Sequence, residues 1–393
     1  MNNFNNLKVA FNDKSNHDLR RAYLLFKIIS IPLISKFSIK LLKLCLKLKL
    51  PVKLLIKSTV FKHFCGGTTI NNCSDTIDLL WKSNVGTILD YSAEGKKTNN
   101  DFDNVMHEII KTIIKSKNHE SIPFTVFKFT GIVKFSLLEK ISEKKILSKN
   151  EQNEKEKFLD RVEKICRTAK ENQVRILIDA EESWIQEAID KIVLMMMKKF
   201  NTDECWIYNT IQMYRKDRIK YLKNLIGDTS KEKYFIGLKI VRGAYHSQEI
   251  IKSEENNYSS PVHRYKTKTD EDFNKAIKIC VENLNIISIC LGTHNEKSTL
   301  LLTSLMKKHN IQNNDNRIFF SQLLGMSDHI SYNLSKNGYN VAKYVPYGPV
   351  KEVIPYLIRR AEENTSITGQ MGRELTNIVK ERDRRKKDNI TCG

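Results

Sequence analysis

Eight short apolar segments alternate with helical segments from residue 85 onward, and this alternation limits the fold more than any other feature of the chain. The segments are rich in β-branched and aromatic residues and carry little charge, which is typical of strands buried on both faces of a parallel sheet. Eight strand and helix repeats predict an α/β protein with a closed, TIM-like (β/α)₈ barrel. The predicted strands span residues 85–91, 123–130, 174–180, 204–211, 234–242, 286–292, 316–322 and 339–345, and helical periodicity is clearest at 184–200, 270–284, 297–309 and 350–364.

The 393 residues leave room for more than the barrel. We predict an N-terminal basic amphipathic helical region at 1–65, the barrel at 66–370 and a basic tail at 371–393, which we expect to fray after Lys380. Residues 139–157 are highly charged and of low complexity, and are interpreted as a solvated insertion in the second crossover.

The N-terminal region has no acidic residue between Asp18 and Asp75, while lysines interrupt its apolar runs every few residues. No uncharged stretch approaches the roughly 18 residues needed to cross a bilayer. Two interpretations stay open: an interfacial helix on an anionic membrane, or a helical layer on the barrel with its lysines outward. The first 19 residues are mostly polar, so they do not resemble a signal peptide, nor are they a clean mitochondrial presequence.

The net charge of +21 is the difference between 66 basic and 45 acidic residues. Outside the N-terminal region the excess of basic residues is spread along the sequence. Zinc-ligand spacing, aromatic RNA-binding signatures and basic-zipper heptads are absent from the sequence, so we expect no nucleic-acid partner. The eight cysteines are scattered without a CxxC pair, which predicts buried thiols in a reducing compartment rather than disulfides or a metal site.

Nearly every predicted strand ends in a polar residue. Barrel enzymes keep their chemistry at the carboxyl ends of the strands, so this pattern favours a ligand site over a series of satisfied core residues. The residues concerned are Asp90, Lys128, Asp179, Gln212, Lys239, Arg242, His294, Gln322 and Tyr344.

Two adjacent arginines follow the eighth strand, in the segment KYVPYGPVKEVIPYLIRRAEEN at 343–364. Buried guanidinium groups need an anion, and two planar forks side by side suit a carboxylate or a phosphate. Arg359 and Arg360 are therefore candidate anion ligands. The alternative is that Glu363 pairs with one of them on a solvated helix edge.

Five motifs resemble those of proline dehydrogenase, the flavin-dependent enzyme that begins proline catabolism. They are LIDAEESW (177–184), GLKIVRGAYHSQE (237–249), GTHNEKS (292–298), FFSQLLGM (319–326) and the segment at 343–364, and the likeness covers roughly 64–370. It implies oxidation of L-proline to Δ1-pyrroline-5-carboxylate by hydride transfer to FAD, with electrons passed to a membrane quinone. The N-terminal region is similar in character to that of the eukaryotic, mitochondrial members. The resemblance thus implies a mitochondrial protein on the matrix side of the inner membrane, bound peripherally to an anionic surface.

The resemblance also implies roles for individual residues. Arg359 and Arg360 would clamp the substrate carboxylate, and Glu94 resembles the acid that pairs with a clamp arginine. The remaining substrate and catalytic positions would be Lys128, Asp179, Tyr245, Leu324 and Tyr344, and the FAD-contacting positions Gln212, Lys239, Arg242, Gly243, Ala244, His294, Gln322, Arg360 and Glu363. Lys239 departs from the arginine of bacterial members and keeps the charge without the fork.

Three alternatives compete with this interpretation. A hydroxyproline dehydrogenase would need space where the Tyr344 ring lies, so tyrosine there favours proline. A catalytically silent, membrane-associated barrel would have no need of the full set of motifs. A metal-dependent lyase or an aldolase with Lys128 as Schiff base is disfavoured, because carboxylates and histidines do not cluster and the flavin motifs are present. We predict no metal.

Overall fold

The structure, a computed structural model, describes residues 4–31, 56–92, 97–229, 231–366 and 370–391; of residues 361–366, 370–371 and 389–391 it describes the backbone alone. Eight strands close into a barrel in chain order, which confirms the predicted (β/α)₈ fold. The strands are β1 (Val85–Tyr91), β2 (Phe124–Phe127), β3 (Arg175–Ile178), β4 (Ile207–Gln212), β5 (Ile236–Val241), β6 (Ile287–Gly292), β7 (Ile318–Leu323) and β8 (Val341–Tyr347).

Helices precede, connect and follow the strands. Before β1 lie α1 (Leu7–Ala10), α2 (Asn16–Ile29), a π-helical turn (Lys57–Phe61), α3 (Lys62–Phe64), a 3₁₀ turn (Asn71–Cys73) and α4 (Ser74–Trp81). The connections carry α5 (Asn99–Ser116), a 3₁₀ turn (Phe129–Gly131), α6 (Phe135–Ser142), α7 (Lys149–Glu171), α8 (Ser183–Phe200), α9 (Arg218–Thr229), α10 (His246–Glu255), α11 (Lys266–Glu282), α12 (Glu296–Lys308) and α13 (Asp328–Lys336). After β8 come α14 (Val350–Ser366) and α15 (Gln370–Thr391).

The strands form where the apolar runs predict them, because a strand covered on both faces needs apolar residues at every position. Every residue of β4 and β8 is buried. The parallel register sets Lys239 of β5 between Thr210 of β4 and Cys290 of β6. Polar side chains inside the barrel are thus placed by strand register, and each must find its partner there.

The charged segment at 139–157 begins in α6 and ends in α7. Ser148 caps α7: its hydroxyl accepts from the backbone of Glu151, whose carboxylate accepts in turn from the backbone of Ser148. Lys140 of α6 donates to the same carboxylate at 2.5 Å. Charge here serves to start a helix and to connect two helices.

The chain divides into two compact units. The first comprises Met1–Thr87, Ser92–Glu94 and Gln322–Gly393, and the second Ile88–Tyr91 and Gly95–Ser321. In the first unit, α2 contributes Phe26 to an apolar cluster that also includes Met326, Leu357 and Ile378. This unit also buries Lys343 of β8, whose ammonium lies 2.7 Å from Asp328. Burial lowers the pKa of Lys343, and the ion pair with Asp328 opposes that shift.

The described part of the C-terminal tail is helical to Thr391, so the expectation that it frays after Lys380 is wrong there. It forms α15, in which Arg384 and Arg385 both donate to the fully buried carboxylate of Glu381. Arg385 also donates to the backbone carbonyls of Phe11 and Lys14 at 2.8 Å. A basic sequence that looks solvated is held here by one buried acid and by the N-terminal segment.

The N-terminal region is described only in part, and residues 32–55 lie outside the described residues. Across the described ranges, the helices are too short or too polar to cross a bilayer. The six described cysteines are buried, as predicted, while Cys45 and Cys392 lie outside those ranges. The domain boundaries at 65/66 and 370/371 stay predictions.

Candidate active site

Most of the predicted site residues that the structure describes lie in the strands or within a few residues of their carboxyl ends, whereas Arg359 and Arg360 lie farther along the chain, in α14. Lys128 follows β2, Asp179 follows β3, and Gln212 is the last residue of β4. Barrels of this kind bind their ligands at that end. The second unit holds one group of these residues and the first unit another.

In the second unit, Lys239 and Asp179 form a buried ion pair. The Lys239 ammonium lies 2.6 Å from a carboxylate oxygen of Asp179, and their side chains are 9% and 13% exposed. Each charge would be costly alone in this position, so each stabilises the other. The sequence assigns these residues to cofactor and substrate respectively; the structure shows that they also bind each other.

Gln212 connects the segments that follow β3 and β5. Its amide nitrogen donates to the backbone carbonyl of Glu181 at 2.7 Å, and its amide oxygen accepts from the backbone N–H of Ala244 at 3.3 Å. The side chain is buried. Two strand-end loops are thus held at a fixed separation by one amide.

Arg242, directly after β5, is held on three sides. Its guanidinium donates to Asp270 at 2.6 Å, to Thr293 at 2.7 Å and to Ser298 at 2.9 Å. Its centre lies 4.2 Å from the centroid of the Phe273 ring. Burial lowers the pKa of Arg242, and Asp270 opposes that shift. These bonds use three of the five N–H groups of the fork and fix its plane.

Gly243 occupies a conformation that other residues rarely adopt, with φ +130°. A Cβ atom here would lie 2.5 Å from the ring of Tyr214. The backbone at Gly243 is therefore packed directly on an aromatic ring, and only glycine fits without displacing it.

Two further predicted residues of this unit begin helices or precede them. Tyr245 is buried and occupies the position before α10. His294 is half-buried and precedes Asn295, whose side chain accepts from the backbone of Ser298 at the start of α12. Helix starts of this kind hold the neighbouring side chains in a defined direction.

In the first unit, Gln322, Leu324 and Tyr344 lie on neighbouring segments. The Gln322 amide oxygen accepts from the hydroxyl of Ser331 at 2.8 Å. The backbone N–H of Leu324 donates to the carbonyl of Tyr344 at 2.9 Å, which joins the end of β7 to β8. All three side chains are buried.

Arg359 and Arg360 lie on α14 and are half-buried. Val353 and Leu357 of the same helix are buried in the apolar cluster of this unit. The Arg360 guanidinium lies over the ring of Tyr356, 5.3 Å from its centroid. The helix thus turns its apolar face to the core and carries both guanidinium groups at the edge of that face, as the sequence predicts. Glu94 lies outside the described residues, and of Glu363 only the backbone is described.

Comparison with known proteins shows the family of this chain. A family model described as proline dehydrogenase matches residues 73–373. The chain belongs to the proline dehydrogenase family.

Named relatives agree with this membership, and a solved structure agrees with the fold. Proline dehydrogenase 1, mitochondrial, of Dictyostelium discoideum is 33% identical over 436 residues, which cover 98% of this chain and 76% of the relative. The hydroxyproline dehydrogenase of Xenopus laevis is 28% identical, with 95% and 87% covered. The crystal structure of proline utilization A from Bdellovibrio bacteriovorus, inactivated by N-propargylglycine, matches with a TM-score of 0.70. At 18% identity it shows the fold alone, over 82% of this chain and 35% of that longer one.

In this proline dehydrogenase family member, sequence reasoning missed the residues that hold the predicted ones. Glu181 is nearly fully buried and binds both Thr130 and Gln212. Asp270 and Tyr214 support Arg242 and Gly243. Glu181 belongs to the motif LIDAEESW, in which three acids occupy four positions after an apolar strand. This pattern indicates an acidic strand end but does not separate Glu181 from Glu182. For Asp270 and Tyr214 we find no such signal.

Replacing Gly243 with alanine should destabilise the protein by more than backbone strain alone, because the added Cβ would also clash with the Tyr214 ring. Gly338 is a matched control, because its φ is +78° but no atom lies within 4 Å of the position that a Cβ would occupy. We expect Gly338→Ala to lower the free energy of unfolding by about 1 kcal/mol and Gly243→Ala by at least about 1 kcal/mol more. Urea unfolding measures both. Equal losses would show that Tyr214 yields without cost.

Proposed function

We propose that this protein oxidises L-proline to Δ1-pyrroline-5-carboxylate, using FAD as the hydride acceptor. The observation that carries the proposal is the match to the proline dehydrogenase family over residues 73–373 together with the closed eight-stranded barrel. Oxidation of a secondary amine to an imine removes a hydride from the carbon beside nitrogen and a proton from the nitrogen. The protein's part is to orient the amino acid, exclude water and manage charge.

The donor set of the second unit fits a flavin. Gly243 lets the backbone pack directly on the Tyr214 ring, which fixes the course of the segment after β5. Arg242 and Lys239 supply N–H donors whose charges each have a carboxylate partner, and Gln212 supplies an amide held in place by two bonds. When bound, a flavin supplies the two-electron acceptor that none of these side chains can provide. We propose Gln212, Lys239, Arg242, Gly243, Ala244, His294, Gln322, Arg360 and Glu363 as its contacts.

Arg359 and Arg360 are proposed to bind the substrate carboxylate. Their half-buried position at the edge of an apolar helix face supports this role, because a carboxylate binds a partly desolvated fork more strongly than an exposed one. Tyr344 and Leu324 would shape the ring pocket, with Lys128, Asp179 and Tyr245 as further pocket residues. Glu94 is proposed to pair with a clamp arginine.

Electrons are proposed to pass to a membrane quinone, and α2 offers a surface for docking on the membrane. The inner face of α2 is buried, while Leu24 and Ile28 are 52% and 49% exposed on its outer face. Arg20 and Lys27 are exposed on the same helix. Exposed apolar side chains among basic ones suit an anionic lipid surface. The name of the Dictyostelium relative supports a mitochondrial location, and we propose the matrix side of the inner membrane as the place of docking.

Hydroxyproline dehydrogenase remains the second candidate, supported by the relative of that name in Xenopus laevis. The two activities differ in the room they need beside the pyrrolidine ring. Tyr344 is buried on β8, and we propose that its ring fills the space that a ring hydroxyl would require, which favours proline.

The purified protein should be yellow, release FAD on denaturation, and be reduced by L-proline faster than by trans-4-hydroxy-L-proline. Flavin absorbance, chromatographic identification of the cofactor and steady-state rates with both amino acids test this. A preparation that holds no flavin after incubation with FAD and removal of the unbound cofactor would refute the enzyme assignment. A higher kcat/KM for the hydroxylated substrate would replace the proposed substrate with the second candidate.

Alanine at Arg359 or Arg360 should raise KM for proline steeply. Each variant loses charge-assisted hydrogen bonds worth about 1.5–3 kcal/mol, or roughly 10- to 150-fold. Arg359→Lys keeps the charge without the fork and should fall between the native protein and alanine. The control is Arg167→Ala, which removes an exposed arginine of α7. Proline kinetics that match this control in both clamp variants would exclude the clamp.

Glutamate at Leu24 and Ile28 together should weaken binding to vesicles of phosphatidylcholine and phosphatidylserine at least about tenfold, since each side chain contributes about 1.5–3 kcal/mol when buried. Ile146→Glu is the control, because Ile146 is 97% exposed outside α2. Sedimentation with vesicles measures the partition. If the double variant binds as the control does, α2 is not the docking surface.

A further inference from the structure

Glu181 is a buried acid that the proposed chemistry does not use. It lies two residues beyond Asp179 and is 3% exposed. One carboxylate oxygen accepts from the backbone N–H of Thr130 at 3.1 Å, and the other accepts from the Thr130 hydroxyl. Thr130 is part of the 3₁₀ turn Phe129–Gly131, which starts directly after Lys128. The carboxylate therefore holds the turn that sets the direction of Lys128.

The backbone of Glu181 extends this connection to three more segments. Its N–H donates to the side chain of Gln186 in α8 at 2.8 Å, and its carbonyl accepts from Gln212 at 2.7 Å. Gln212 in turn accepts from the backbone of Ala244. Glu181 thus links the segments that follow β2 and β3 to the end of β4, and Gln212 extends the link to the segment after β5. These places carry Lys128, Asp179, Gln212 and Ala244.

We propose that Glu181 is a positioning residue of the active site, which fixes Lys128 through Thr130 and sets the net charge beside Lys128 by its own ionisation. The inference rests on the proposed function, because it gives a purpose to the direction and charge of Lys128. It adds a residue that neither the motifs nor the strand ends assign to the site.

The carboxyl of Glu181 has a pKa near neutral pH. Burial raises the pKa of its carboxyl to about 7, while Lys128 and the bonds from Thr130 oppose that shift. Glu182, its chain neighbour, adds a second negative charge that also raises the pKa. The carboxyl is therefore neutral below about pH 7 and ionised above it, where it offsets the positive charge of Lys128.

Glutamine at position 181 separates charge from geometry. Its amide oxygen can accept from the Thr130 backbone, and its amide nitrogen can donate to the Thr130 hydroxyl, so both bonds survive, the second with its polarity reversed. Only the negative charge is lost. Glu171→Gln is the control, because it removes the same charge from an exposed position at the end of α7.

The test measures the midpoint potential of the bound flavin at pH 6 and pH 8.5, with flavin retention on dialysis as a second readout. At pH 8.5, Glu181→Gln leaves the site more positive than in the native protein, which favours the more negatively charged reduced flavin and raises the potential. At pH 6 the native residue is neutral, so the two proteins should agree. The control should track the native protein at both pH values. Flavin retention should be unchanged, because glutamine keeps the bonds.

Thr130→Val gives an independent measurement, since it removes one bond that stabilises the ionised carboxylate. In Thr130→Val, the pH above which the flavin potential falls below that of Glu181→Gln should therefore be higher than it is in the native protein. Equal potentials for Glu181→Gln and the native protein at pH 8.5, or no movement in Thr130→Val, would overturn the proposal. Both comparisons use protein that binds flavin, so a colourless native protein refutes the proposed function and is recognised separately.

Discussion

Closure of eight parallel strands is the constraint on which the rest of this structure depends. Parallel closure sends every carboxyl end the same way, so residues far apart in the chain become neighbours in one ring of loops. In the second unit, Asp179 and Lys239 meet at 2.6 Å although 60 positions separate them in sequence. Gln212 joins the loops after β3 and β5 by two hydrogen bonds. The main contribution of the strands is their register, which fixes the distances between the side chains of the site.

Buried or half-buried charges meet opposite charges at three places in the described second unit. Lys239 binds Asp179, Arg242 binds Asp270, and Arg218 binds Asp190 at 2.6 Å with both side chains under a tenth exposed. An uncompensated ion in such positions would cost several kcal/mol. These pairs therefore specify which register and which loop positions are allowed, whatever their net contribution to stability. A substitution that removes one partner leaves the other buried alone, which is the expensive case.

The sequence predicts the barrel well, because a strand covered on both faces must be apolar throughout, and that signature is local. All eight predicted strands overlap the observed ones. The prediction for the C-terminal tail is wrong for the complementary reason: Arg384 and Arg385 look solvated until Glu381 is seen to be buried beneath them. Glu181 escaped for a similar reason. Nothing local distinguishes it from Glu182, and only the turn after β2, 51 residues away, selects it.

Because these charges are paired, the excess positive charge of the chain is not concentrated at the strand ends of the second unit. Among the described strand-end residues of the second unit, Lys239 and Arg242 each have a carboxylate partner, and Glu181 offsets Lys128 once it is ionised. The net charge of +21 is therefore carried mainly by lysines elsewhere, and not by this group. A site built this way attracts an anionic ligand through a few directed donors rather than through a broad positive field. Its charge then depends on one carboxyl with a pKa of about 7, so a single proton can change the balance.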